Sequence, residues 1–74
     1  MAPLLVLAIG SASRANTVTD YRRSVNAGVE HFAARRYVKA RVAFLTAYEI
    51  HTDARLLFNI ASTFRREQKY ENAL

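Results

Sequence analysis

The chain has no cysteine, one proline and two glycines in 74 residues. Without cysteine no disulfide can staple the fold, and the usual cysteine test for an oxidising compartment gives no reading. The scarcity of proline and glycine, beside many alanines, arginines, leucines and glutamates, favours helix over sheet. The two glycines, Gly10 and Gly28, stand alone, so no phosphate-cradling loop is present. No apolar run approaches the ~20 residues that a transmembrane helix needs. Acidic residues are also few, 6 against 11 basic, for a formal charge of +5. The basic residues are dispersed rather than blocked, which fits the solvated face of a helical protein better than a nucleic-acid tail.

What is present is a small, half-apolar chain, with 51% hydrophobic residues. That content argues against disorder, and the length permits one small domain. Residues 1–15, MAPLLVLAIGSASRA, differ from the rest: an apolar stretch at 4–9 precedes small residues and Ser13-Arg14-Ala15. The pattern reads as a secretory signal peptide cleaved after Ala15 or after Ser13, although no Lys or Arg precedes the apolar stretch. The competing reading is an N-terminal helix packed on the domain. Residues 16–20 read as a linker, with Thr17 and Asp20 as a weak capping box or Thr19 as the N-cap.

The apolar spacing beyond it predicts helices. Val18, Tyr21, Val25, Val29 and Phe32 recur at intervals of three and four, which places one helix up to about residue 34. A phase change at "ARRY" marks a short break. A second helix is expected over about 38–51, with Ala40, Phe44, Ala47 and Tyr48 inward, joined by Val42, Leu45 and Ile50. So short a connection predicts antiparallel packing. Thr52 or Asp53 would cap a third helix over about 54–67, with Leu56, Leu57, Ile60, Ala61 and Phe64 on its inner side. "REQK" is then expected to turn, and Tyr70 to open a fourth helix.

The expectation of that turn comes from an internal repeat. "YVKA" at Tyr37 and "YENA" at Tyr70 stand 33 residues apart, and the same offset sets Gly28 against Ala61. A period of this size built from helix–turn–helix pairs marks a solenoid. The chain resembles the tetratricopeptide repeat family at these positions: the small residues Gly28 and Ala61, the aromatics Phe32 (with His31 at the strict position) and Phe64, Tyr37 with Ala40 and Tyr70 with Ala73, then Phe44 and Ala47. The stretch from Ala47 onward is similar to bacterial envelope members of the family. The sequence departs from the pattern where Ser24 and Leu57 replace a large aromatic, Arg35 and Gln68 a turn glycine, and Thr52 a proline.

The resemblance implies an all-α solenoid of antiparallel helix pairs, with residues 21–53 a first repeat and 54–74 an incomplete second. It also implies a non-catalytic module binding a protein or peptide in a groove lined by Arg22, Val25, Val29 and Phe32, then by Arg55, Phe58, Asn59, Ser62 and Arg66. A leader would make the protein periplasmic or secreted; without one it would be cytoplasmic. With the second repeat's closing helix missing, Leu56, Ile60 and Phe64 would be partly uncovered, forfeiting on the order of 4–9 kcal/mol of burial. The chain is therefore expected to be a fragment of a longer protein, to self-associate through its open end, or to fold poorly.

Catalysis and cofactors find no support. His31 and His51 fall on different helices, without cysteine or converging carboxylates to complete a metal site. Ser24 and Ser62 have no neighbouring base. The competing non-enzymatic class is a basic nucleic-acid or membrane-surface helix, using Arg22-Arg23, Arg35-Arg36, Lys39, Arg41, Arg65-Arg66 and Lys69. It lacks interleaved aromatics and any reading motif.

Overall fold

A computed structural model describes residues 17–73. The expected leader, residues 1–15, lies outside the described residues. Within them the protein is all-helical, with three helices: α1 Thr17–Ala33, α2 Tyr37–Ile50 and α3 Ala54–Ala73. Helix α1 takes in residues 17–20, which read as a linker in the sequence, and Thr19 lies inside the helix rather than capping it. Asp20 sits in the first turn, favourable to the positive helix end, with Arg23 Nη1 3.6 Å away.

The connection between α1 and α2 is built almost wholly from backbone. The Arg36 N–H donates to His31 O at 2.8 Å and the Arg35 N–H to Phe32 O at 3.0 Å. These two bonds form a Schellman motif, with Arg35 in the left-handed position that glycine usually fills. Its φ is 63°, the one positive value among non-glycine residues described. Arg36 Nε donates to His31 Nδ1 at 3.0 Å, which fixes the imidazole proton on the other nitrogen when the ring is neutral. The Phe32 and Tyr37 rings then meet edge-on, 5.4 Å apart, across the turn.

Gly28 sets how closely α1 approaches α2. A Cβ built on it would lie 2.5 Å from Phe44 Cε1 and 2.7 Å from Cδ1. No carbon tolerates that separation, so only glycine admits the ring. Ala40 and Ala47, one turn to either side of Phe44, are fully buried, and Leu56 of α3 completes the enclosed core. Tyr21, Val25, Phe32, Tyr48 and Ile60 pack around it. At the other end of α1, the Tyr21 and His51 rings meet edge-on at 5.5 Å.

Asp53 caps α3. Its Oδ1 accepts the Arg55 N–H at 2.9 Å, its carbonyl accepts the Leu56 N–H at 2.9 Å, and its carboxylate is gripped by the Arg55 guanidinium at 2.7 Å. The side-chain grip of Arg55, and then its backbone N–H, hold the Asp53 carboxyl down at about 2.

Two expectations fail on α3. The helix runs unbroken through "REQK" to Ala73, so neither the turn nor a fourth helix forms there. Every residue of that stretch is a good helix former, and no glycine or proline opposes continuation. The inner face is also displaced by one residue. Leu56 and Thr63 are buried and Ile60 packs on the core, whereas Leu57 and Phe64 are 49% and 54% exposed and Ala61 is exposed. Thus Leu56 is not uncovered, contrary to expectation. On α2, Val42 and Leu45 face outward, joined there by exposed Val38.

These contacts set the response to three substitutions. Gly28→Ala gains about 1 kcal/mol of helix propensity but overpacks Phe44 at a cost of about 1–3 kcal/mol. A net loss of about 1 kcal/mol should appear in urea unfolding. Arg35→Gly relieves left-handed strain of about 1–2 kcal/mol, part of it lost to a freer unfolded chain, so stability should rise by about 0.5–1 kcal/mol. For Asp53, the depressed carboxyl stabilises the fold above the ordinary value of 3.8, and that contribution fades as pH falls toward about 2. The Tm gap between the parent and Asp53→Ala should therefore narrow across that interval.

Candidate interaction groove

Helices α1 and α3 stand apart over the Phe44 ring, leaving an open groove of about 520 Å³. Val29, Phe32 and Ala33 form one wall, and Phe58, Asn59, Ser62, Arg65 and Arg66 the other. On α3 these residues recur at helical spacing, so one stripe of the helix faces the opening. Phe58 is 67% exposed and Val29 54%, leaving a large apolar area open to solvent.

Of the nine residues expected in a groove, Val29, Phe32, Phe58, Asn59, Ser62 and Arg66 line this one. The other three are placed elsewhere. Val25 packs against the core cluster, because its spacing from Tyr21 and Phe32 keeps it on the face turned to α2. Arg55 is folded back onto Asp53 as part of the helix cap. Arg22 is exposed on α1 and takes no part in the lining.

Ala33, Phe44 and Arg65 also line the groove, and the sequence pattern does not place them there. A signal exists for Arg65, which lies one helical turn from Ser62. Phe44 serves both as core and as groove floor, a double role that a one-face reading of α2 does not reveal.

The polar chemistry of the groove is one-signed. Ser62 Oγ donates to Phe58 O at 3.0 Å and accepts from Arg65 Nη2 at 3.0 Å. The Arg65 guanidinium lies 5.6 Å from the Phe58 ring centroid, and that of Arg66 lies 6.0 Å from that of Phe32. Such distances are at the outer limit of cation–π attraction. Among the described residues no carboxylate lines the opening. The groove therefore offers aromatic faces, two guanidinium forks and the Asn59 amide.

Arg41, one of the candidate phosphate contacts in the sequence, is committed to the interior. Its Nε donates to Thr63 Oγ1 at 3.0 Å, its Nη2 to Glu67, and its guanidinium lies 3.7 Å over the Phe64 ring. Thr63 is fully buried and in turn donates to Ile60 O at 2.6 Å. This cluster joins α2 to α3 and has no signature in the sequence, since Arg41 lies more than twenty residues from its partners.

Among the described residues no group of three or more His, Cys, Asp or Glu could hold a metal ion, and no helix is long and apolar enough to cross a membrane. Fold and site together define an all-helical protein with an open, basic-edged aromatic groove. Compared with protein-family models, curated proteins and solved structures, the chain matches none.

Proposed function

We propose that this protein is a non-catalytic interaction module whose groove between α1 and α3 receives a peptide or a helix from a partner protein. The observation that carries this reading is the groove itself. Val29 and Phe58 are held open to solvent on facing walls, although burial would stabilise each by roughly 1.5–3 kcal/mol. An apolar patch of this kind, bordered by polar groups, marks a binding surface. The Asn59 amide can serve both the donor and the acceptor of an extended backbone. Arg65 and Arg66 can grip carboxylates of the ligand.

The tetratricopeptide-like reading stands beside it as part of the proposal. Three features support it: Gly28 against Phe44, the buried small residues Ala40 and Ala47, and end-to-end contacts fitting an antiparallel α1–α2 pair. In a solenoid the outward face of α3 carrying Leu57, Ala61 and Phe64 would be met by a further helix, from a longer chain or a second copy. The proposed periplasmic or secreted location rests on residues 1–15 alone.

Selection from a displayed random-peptide library tests the groove. Enriched peptides are expected to share an apolar anchor and to lose at least about tenfold in affinity against Phe58→Glu. Val18→Glu, at an exposed valine outside the groove, should leave binding intact. Equal binding to both variants would refute the proposed site.

A further inference from the structure

Arg66 borders a shallow depression of about 160 Å³, open to solvent, which it lines together with Arg35, Tyr37, Lys69 and Tyr70. Three cations and two phenols surround this space, and among the described residues no carboxylate does. The ion pairs among the described residues use Arg23, Arg41 and Arg55, so Arg35, Arg66 and Lys69 have no acidic partner. Glu67 and Glu71 line an adjoining cleft that shares Arg35, Tyr37 and Tyr70 with this one, and Glu67 is engaged by Arg41.

The placement works against stability on two counts. Arg66 and Lys69 are like charges one turn apart on α3, an arrangement that weakens a helix. Arg35 holds the left-handed position at φ 63°, which glycine would fill without strain. Strain retained at one residue, with its charged side chain beside two further cations that form no ion pair, is the kind of outlier from which a binding role is inferred.

We propose that this depression binds a phosphate monoester. Such a group carries about −1.5 to −2 charges near neutrality and three strong acceptor oxygens. It matches three cations and two hydroxyl donors better than a carboxylate, which brings a single charge and two oxygens. The depression is open to solvent on one side. That admits a phosphoryl head and leaves its organic part outside. Arginine forks from the turn and from α3 would take separate oxygens, with the Lys69 ammonium as a point charge between them. This site is separate from the aromatic groove apart from their common wall at Arg66.

The test is a ¹H–¹⁵N NMR titration of the full chain with O-phosphoserine and with glycerol 3-phosphate, against chloride at equal ionic strength. Saturable shifts are expected at the amides of residues 35, 37, 66, 69 and 70. Arg35→Gly keeps the backbone cap and should fold at least as well as the parent, yet weaken binding by at least about tenfold. Lys69→Gln should also weaken it. Four results would each overturn the site: no saturation, shifts spread equally over Arg22, Arg23 and Lys39, unchanged affinity in Arg35→Gly, or binding only to phosphatidic-acid vesicles or to oligonucleotides.

Discussion

The missing side chain at residue 28 is the constraint on which the remaining structure depends. Phe44 occupies the volume that any Cβ there would need. Because the ring enters α1 at that point, α2 comes close enough to bury Ala40 and Ala47 on both sides of it. The same ring is the floor of the groove between α1 and α3. Depth of groove and closeness of helices are thus one variable. A bulkier residue 28 would lift Phe44 and fill the opening from below.

The junction of α2 and α3 obeys a different principle. Beside the apolar contact of Leu56, Arg41 brings a charge against a fully buried threonine and a half-buried glutamate. Removing such a charge from water is costly unless its hydrogen bonds and its ion pair are all met. Here Nε, Nη2 and the guanidinium face each have a partner, and no buried side-chain polar atom among the described residues lacks one. Apolar burial is tolerant of small rotations, whereas a fork held by Thr63 and Glu67 is not. The polar cluster therefore fixes the rotation of α3, and with it which stripe of that helix faces the groove.

Legibility from sequence tracks the strength of local signals. Apolar spacing locates α1 and α2 to within a few residues, and Asp53 is readable as a cap because a carboxylate before a helix has few other roles. The break after Ala33 is legible without glycine, from phase alone. Backbone hydrogen bonds of the Schellman type close it with an arginine at the strained position. The repeat points in the same way to a break at "REQK", and there the helix continues. The two sites differ in the segment downstream of each. Beyond Arg36 lies a helix that buries Ala40, Phe44 and Ala47, enough to offset a strained turn. Beyond Gln68, residues 69–72 are exposed, so intrinsic propensity decides. The inner face of α3 is ambiguous by one residue because Leu56 and Leu57, or Thr63 and Phe64, are not separated by periodicity alone. Arg41 decides between them, and its partners are remote in sequence.

Helix α3 accordingly meets three environments: the core through Leu56 and Ile60, the groove through Phe58 and Ser62, and solvent through Leu57 and Phe64. A helix apolar on more than one side is suited to burial on more than one side. With only the first face covered, a domain of this size holds a small margin of stability. Any molecule that binds the folded groove and not the unfolded chain adds to that margin by mass action, by about 2.7 kcal/mol at a hundredfold excess over its Kd. Under the proposed function recognition and folding are coupled: Val29 and Phe58, exposed in the isolated fold, are the side chains that a partner in the groove would cover.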